Sequence, residues 1–96
     1  MIIAIDYDGT YTEEPTMWDA FIKDAASRKH TVLICTGRTK ATDPIGHGFP
    51  PGVAVYYTSN APKRAALRMQ DVEVDIWIDD APERIVSSYD DFDEEL

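Results

Sequence analysis

The chain has 96 residues, of which 44% are hydrophobic and 28% are charged, so a wholly disordered chain is excluded. This length suits one domain with its own core and leaves little material for a second lobe. A formal net charge of −9 opposes non-specific binding to nucleic acid and to anionic lipid, because both are negatively charged.

Short apolar runs alternate with helical patterns along the chain, and this alternation predicts an α/β fold with a parallel sheet covered by helices. Four strands are expected, at residues 2–6, 31–35, 53–57 and 75–78. The second run is nearly all apolar, which is typical of a strand buried on both faces. Right-handed crossovers would bring the carboxyl ends of all four strands to the same edge of the sheet.

Three helices are expected, at about residues 16–29, at residues 62–70, and as a short helix from residue 82. The first is indicated by apolar residues three and four positions apart, namely Trp18, Phe21, Ile22 and Ala25. The second is expected to turn three side chains inward, those of Ala65, Ala66 and Met69. Residues 1–89 are therefore expected to form a single domain, followed by a solvated acidic tail at residues 90–96.

Cysteine content and hydropathy indicate the compartment. Cys35 is the only cysteine, so no disulfide forms within the chain, and inside a strand it is expected to be a small buried apolar residue. No cationic leader with an apolar stretch is present, and no apolar segment approaches the ~20 residues that span a bilayer. We therefore expect a soluble cytoplasmic protein with no membrane partner.

Polar residues cluster where the predicted strands end and where one helix begins. They are Asp6 and Asp8 followed by Gly9 and Thr10, then Thr36 with Gly37, then Lys63, and finally Asp79 with Asp80. Open parallel sheets bind ligands in the crevice at the carboxyl ends of their strands. We therefore expect these residues to form one site.

These residue types suit phosphoryl transfer. A carboxylate such as that of Asp6 is a competent nucleophile toward a phosphoryl group, and it forms an acyl phosphate that water then cleaves. Asp8 suits the general acid and base, provided that its pKa is raised in the site. The charged phosphoryl oxygens also need a metal ion, a cation and a hydroxyl, which we expect from Asp79 with Asp80, Lys63 and Thr36. Carboxylate oxygens favour Mg²⁺, and no Cys and His cluster suggests zinc.

In chain order, the motifs are Asp6-Tyr7-Asp8-Gly9-Thr10, Ile34-Cys35-Thr36-Gly37-Arg38, Lys63 and Ile78-Asp79-Asp80. Together they resemble the signature of the haloacid dehalogenase superfamily, and the resemblance covers the whole chain except the tail. It implies a three-layer Rossmann-like core with a mainly parallel sheet of about four strands. It also implies a phosphatase in which Asp6 is the nucleophile and a metal ligand, and Asp8 is the general acid/base and a metal ligand through its carbonyl.

The same resemblance implies roles for the later motifs. Thr36 would bind the phosphoryl oxygens, Lys63 would hold both the nucleophile and the phosphate, and Asp80 with Asp79 beside it would complete the magnesium site. The residues expected to contact substrate are Thr36, Gly37, Arg38 and Lys63. In the loop after the second strand, Lys40 and His47 are further candidates for contacting the part of the substrate that does not react.

The sequence departs from most members of that superfamily in having no room for a cap domain, because the gaps at residues 11–15 and 38–60 are too short. Capless members act on large substrates or borrow a partner subunit as a lid. We therefore expect a phosphorylated substrate such as a polynucleotide end, a nucleotide or a phosphoprotein, with a homo-oligomer as one way to supply a lid. Nucleic acid stays open as a partner, because net acidity opposes it whereas four basic residues could line the site, namely Arg38, Lys40, Arg64 and Arg68.

Each motif also has a structural interpretation. Asp-x-Asp-Gly can be an ordinary turn, Thr36 with Gly37 a turn or cap, and Asp80 an N-cap for the helix near residue 82. Lys63 is harder to explain structurally, because a lysine at a helix start meets the positive end of the helix dipole.

Two other functions stay open. One is a receiver domain of the phosphorelay type, although its phosphoacceptor would follow the third strand, where residues 57–59 offer no carboxylate. The other is a non-catalytic module of the same fold that binds a protein partner.

Overall fold

A computed structural model describes residues 1–86 and shows an α/β fold on a sheet of four strands, all of them parallel. The strands are β1 (Ile2–Asp6), β2 (Thr31–Thr36), β3 (Ala54–Tyr57) and β4 (Ile76–Ile78). All four predicted strands are confirmed, and no end differs by more than one residue. Their order across the sheet is β3-β2-β1-β4.

This order places β1 in the interior of the sheet, with β2 on one side and β4 on the other. The chain moves outward from β1 through β2 to β3, and then crosses back to the far side of β1. The strand order therefore reverses at β1, and such a switch point opens a crevice at the carboxyl ends of the strands. Asp6 pairs with Cys35 and Ile5 pairs with Ile78, so the residues after each strand emerge side by side.

Two α-helices connect the strands, α1 (Pro15–Ser27) and α2 (Lys63–Arg68). Helix α1 lies within two residues of its predicted bounds at each end, buries Ile22 and Ala25, and packs the half-buried Trp18 and Phe21 against the core. Its first residue is a proline, which suits the first turn of a helix. Two short 3-10 helices complete the described chain, at Tyr11–Glu13 and Pro82–Arg84. The third predicted helix is therefore a single 3-10 turn within the described residues.

The inward face of α2 differs from the prediction. Met69 is 88% exposed, so its expected inward orientation is wrong, and Ala65 and Ala66 are only half-buried. Lys63 and Leu67 are the buried residues of α2, one helical turn apart. The apolar pattern failed here because a lysine occupies a core-facing position, where carboxylates from other elements compensate its charge.

The sheet is covered on both faces, which gives the predicted three layers. One face carries a cluster around Ile3, Ile5 and Ile34 with α1, and the other carries Ala4, Leu33, Cys35 and Leu67. This alternation follows from the pleat, because successive side chains of a strand point to opposite faces. Cys35 is a buried free thiol whose pKa burial raises to about 12, which fits the predicted apolar role.

Residues 1–86 contain no inserted cap domain, in agreement with the short gaps in the sequence. No helix in this part of the chain has the length and apolar character that crossing a membrane requires. The acidic tail predicted at residues 90–96, and the last three residues of the predicted domain, lie outside the described residues.

Candidate active site

Three carboxylates meet at the carboxyl edge of the sheet, at the switch point. Asp6 is the last residue of β1, and Asp79 and Asp80 directly follow β4, its neighbour. One oxygen from each of the three lies within 4.8 Å of the others. They line an open cleft of about 940 Å³ together with Asp8 and Lys63, so the structure brings together most of the predicted site.

Lys63 connects two of these carboxylates. Its Nζ donates hydrogen bonds of 2.6 Å to Asp6 Oδ1 and of 2.6 Å to Asp79 Oδ2, and the residue is only 3% exposed. Burial by itself would lower the pKa of Lys63, but the hydrogen bonds and charges of Asp6 and Asp79 raise it above its ordinary value. The ammonium group is therefore charged, and two anions compensate its unfavourable place at the start of α2.

More negative charge surrounds Asp6 than the single positive charge of Lys63 offsets. Burial, with a smaller contribution from the nearby Asp80 and Asp79, raises the pKa of the Asp6 carboxyl to about 6 against the lowering effect of Lys63. The group is ionised above that pH. A buried carboxylate with a raised pKa beside a specific charged partner is a frequent mark of a functional site.

Thr10 connects the first motif to the last. Its hydroxyl lies 3.2 Å from Asp6 Oδ2 and 3.3 Å from Asp80 Oδ1, and it accepts a hydrogen bond from the Asp80 amide. Because it has one proton, it donates to only one of the two carboxylates at a time. Thr10 was expected at the site from its place in the Asp6 to Thr10 motif, but its contacts with two carboxylates were not predicted.

Gly9 allows the first loop to pass close to Asp80. Its φ of +83° is in the left-handed region that favours glycine, and a Cβ atom here would overlap the Asp80 carboxylate. The glycine of the Asp-x-Asp-Gly motif therefore serves the contact between the first and last motifs, beyond forming a turn.

Asp8 lies at the exposed side of the cleft, in a bidentate ion pair with Arg38. Arg38 Nε donates to Asp8 Oδ2 at 2.9 Å and Nη2 donates to Oδ1 at 2.8 Å. The hydrogen bonds from Arg38 lower the pKa of the Asp8 carboxyl. The acid role of Asp8 was predicted on condition of a raised pKa, and the shift in this arrangement has the opposite direction.

Thr36 and Gly37 have different positions at the end of β2. Gly37 lines the cleft, whereas Thr36 is 1% exposed and is not among the lining residues of the described chain. The Thr36 hydroxyl accepts a 3.2 Å hydrogen bond from the Arg38 amide, so it shapes the turn that carries Arg38. Its contact with phosphoryl oxygens stays a prediction.

The remaining basic residues named from the sequence lie outside the lining of this cleft. Lys40 is exposed, and His47 packs against Phe49 and contacts Tyr11, whose hydroxyl is 2.9 Å from His47 Nε2 and 2.6 Å from Asp19. Arg68 forms a salt bridge with Glu73. Several lining residues had not been singled out from the sequence, among them Asn60, Glu83 and Arg84.

Comparison with known proteins adds no relative. Neither the protein-family models, nor the curated proteins, nor the solved structures contain a match to this chain.

Proposed function

We propose that this protein is a magnesium-dependent phosphomonoesterase that forms an aspartyl-phosphate on Asp6, as its resemblance to the haloacid dehalogenase superfamily implies. The observation that carries the proposal is the buried Lys63 ammonium between Asp6 and Asp79, with Asp80 beside them, at the switch point of a parallel sheet. A purely structural site does not need two buried carboxylates around one lysine, with the exposed Asp80 next to them, because the second buried negative charge is costly. In a reaction on an anionic phosphoryl group, the excess negative charge would bind a cation that stabilises the phosphoryl oxygens.

The proposed reaction has two displacements at phosphorus. In the first, an oxygen of Asp6 bonds to phosphorus as the ester bond breaks, and the leaving oxygen takes that electron pair and a proton from Asp8. In the second, a water oxygen attacks phosphorus and Asp8 accepts a proton from that water. The bond to Asp6 breaks and its electron pair returns to the carboxylate, so an alcohol and inorganic phosphate leave the site.

The residues present fit a magnesium ion. Asp6, Asp79 and Asp80 offer three hard carboxylate oxygens within reach of one another. The resemblance implies that Asp8 would add its backbone carbonyl. When bound, the ion would neutralise charge on the phosphoryl oxygens. Lys63 orients Asp6 through one carboxylate oxygen and Thr10 contacts the other, so the nucleophile is held before substrate arrives.

The open cleft supports a large substrate. No cap domain covers the cleft in the described chain, so a polynucleotide end, a nucleotide or a phosphoprotein fits the proposal, as does a lid from a second subunit. The buried free thiol of Cys35 is compatible with a cytoplasmic location, which we also propose.

Phosphate release tests this proposal. The substrates are an aryl phosphate, nucleotides, sugar phosphates, phosphopeptides and phosphate-ended oligonucleotides, each with magnesium or with chelator. We expect magnesium-dependent release from at least one class, and Asp6→Asn should reduce it by at least about a thousandfold because the nucleophile is lost. Asp24→Asn is the matched control, because Asp24 is an exposed carboxylate paired with Arg28 on α1. Normal turnover by Asp6→Asn would rule out the mechanism.

One observation favours the alternative of a non-catalytic binding module, namely that Arg38 contacts both oxygens of Asp8 and lowers its pKa. That module would be favoured if folded, magnesium-loaded protein released no phosphate from any substrate of the panel, and if a partner interaction survived Asp6→Asn. The receiver-domain alternative has less support, because Tyr57, Thr58 and Ser59 after β3 provide no phosphoacceptor carboxylate.

A further inference from the structure

The guanidinium group of Arg38 has the donor geometry that binds an oxyanion, and in the structure its partner is the Asp8 carboxylate of the chain itself. The Nε and Nη2 atoms of Arg38 contact one oxygen each of Asp8, at 2.9 and 2.8 Å, which is the two-point geometry that guanidinium groups use for carboxylates and phosphates. Both residues line the cleft that contains Asp6 and Lys63. The anion site is therefore next to the proposed point of reaction.

The guanidinium group is held in place independently of Asp8. Its Nη1 donates to the Pro44 carbonyl at 3.3 Å and to Asp43 at 3.4 Å, and its Cζ lies 5.0 Å from the centroid of the Tyr7 ring. The Arg38 backbone amide is fixed by Thr36. Because these contacts orient Arg38 in advance, little side-chain entropy would be lost when an external anion takes the place of Asp8.

Asp8 is held less firmly than Arg38. Its side chain is 55% exposed, and among the described residues its carboxylate accepts side-chain hydrogen bonds only from Arg38. In the proposed reaction Asp8 must face the leaving oxygen and then a water molecule. While Arg38 donates to both of its oxygens, the carboxyl group is turned toward Arg38 and the protonated form that a general acid needs is disfavoured. We therefore expect the ion pair to open during turnover.

We propose that Arg38 binds a second oxyanion on the leaving part of the substrate, a carboxylate or a phosphate, which displaces Asp8 and frees it to act on the leaving group. This inference rests on the proposed phosphatase function and names a substrate class for it: phosphomonoesters that carry another anionic group near the scissile phosphate. Recognition and activation are coupled, because Arg38 cannot hold Asp8 and the substrate anion in the same two-point geometry at once.

The test compares substrates that differ only in the second anion. Phosphoglycolate carries a carboxylate, and its carboxamide has the same shape without the charge; ethylene glycol bisphosphate and monophosphate form the corresponding phosphate pair. We expect the parent protein to prefer the charged member of at least one pair by about tenfold to a hundredfold in kcat/KM, the usual range for hydrogen bonds to charged groups. Part of the preference should appear in kcat, because the anion also releases Asp8.

Substitutions of Arg38 test whether this residue causes the preference for the charged substrate. In Arg38→Met the ratio between charged and uncharged substrate should fall to about one, and Arg38→Lys should restore only part of it, because an ammonium group lacks the planar fork. Arg28→Met is the matched control, since it makes the same charge change at an exposed residue that follows the end of α1, and it should keep the parent ratio.

A binding measurement separates the inference from the proposed function. Calorimetry with the Asp6→Asn variant needs no turnover, and it should show tighter binding of phosphoglycolate than of its carboxamide, with the difference lost when Arg38→Met is added. Equal binding of both would overturn the inference. In the active protein, magnesium-dependent release without discrimination in either pair would overturn the inference and leave the phosphatase intact. The absence of any release would count against the phosphatase.

Discussion

The two halves of the cleft are built in different ways. On one side, Asp6, Lys63 and Asp79 are almost fully buried and joined by two hydrogen bonds of 2.6 Å. On the other side, Asp8 and Arg38 form an ion pair whose carboxylate is 55% exposed. Buried charges are costly to separate, whereas exposed pairs exchange partners readily. The buried half is therefore suited to hold the reacting groups still, and the exposed half to respond to a substrate.

Lys63→Met should have the largest effect on stability. The buried group contains two carboxylates and one ammonium, and the substitution leaves both carboxylates without their cation. We expect the free energy of unfolding, measured with urea in chelator at neutral pH, to fall by about 3–5 kcal/mol. Lys23→Met is the matched control, because Lys23 is exposed on α1. A loss no larger than that of the control would mean that the buried network contributes nothing to stability.

Asp6→Asn should raise the free energy of unfolding, whereas Lys63→Met lowers it, and the size of this gain should depend on pH. Burial raises the pKa of Asp6 from 3.8 to about 6. Between these values the folded state binds more protons at this residue than the unfolded state, so its contribution to stability falls as pH rises through this window. An asparagine at position 6 has no charge to bury, so it avoids this loss of stability and leaves Lys63 paired one-to-one with Asp79.

In metal-free protein at pH 7.5, Asp6→Asn should therefore raise the free energy of unfolding by roughly 1 to 3 kcal/mol, and the gain should vanish near pH 4. Urea unfolding of parent and variant in chelator measures the difference, with Asp24→Asn as the control for loss of one exposed carboxylate. A variant less stable than the parent at pH 7.5 would show that the Lys63 ion pair outweighs the burial of Asp6.

The sequence predicted those parts of the fold that depend on local pattern. The four strands were found because apolar runs of strand length are bounded by turns, and α1 was found from its three- and four-residue spacing. The placement of Asp6, Lys63, Asp79 and Asp80 in one cleft followed from topology alone, because parallel strands end at a common edge.

The errors and omissions come from contacts between distant segments. The inward face of α2 was misjudged because Lys63 is buried only through carboxylates 57 and 16 residues away. The pairing of Asp8 with Arg38 spans 30 residues and depends on the path of the loop after β2, which has no periodic pattern to read. Asn60 reaches the cleft through a backbone conformation with φ of 65°, which its residue type permits but does not specify.

Arg38→Met should have the smallest effect on stability, and this sharpens the contrast with Lys63→Met. Exposed ion pairs contribute about 0–1 kcal/mol, so the free energy of unfolding should fall by no more than about 1 kcal/mol in low salt. The difference between parent and variant should shrink further in high salt, because solvent ions screen exposed charges. The Lys63→Met loss should change little over the same salt range, since buried charges are screened much less. Urea unfolding at low and high sodium chloride measures both. A large, salt-independent loss in Arg38→Met would make Arg38 part of the rigid half of the cleft and would remove the freedom that exchange with a substrate anion requires.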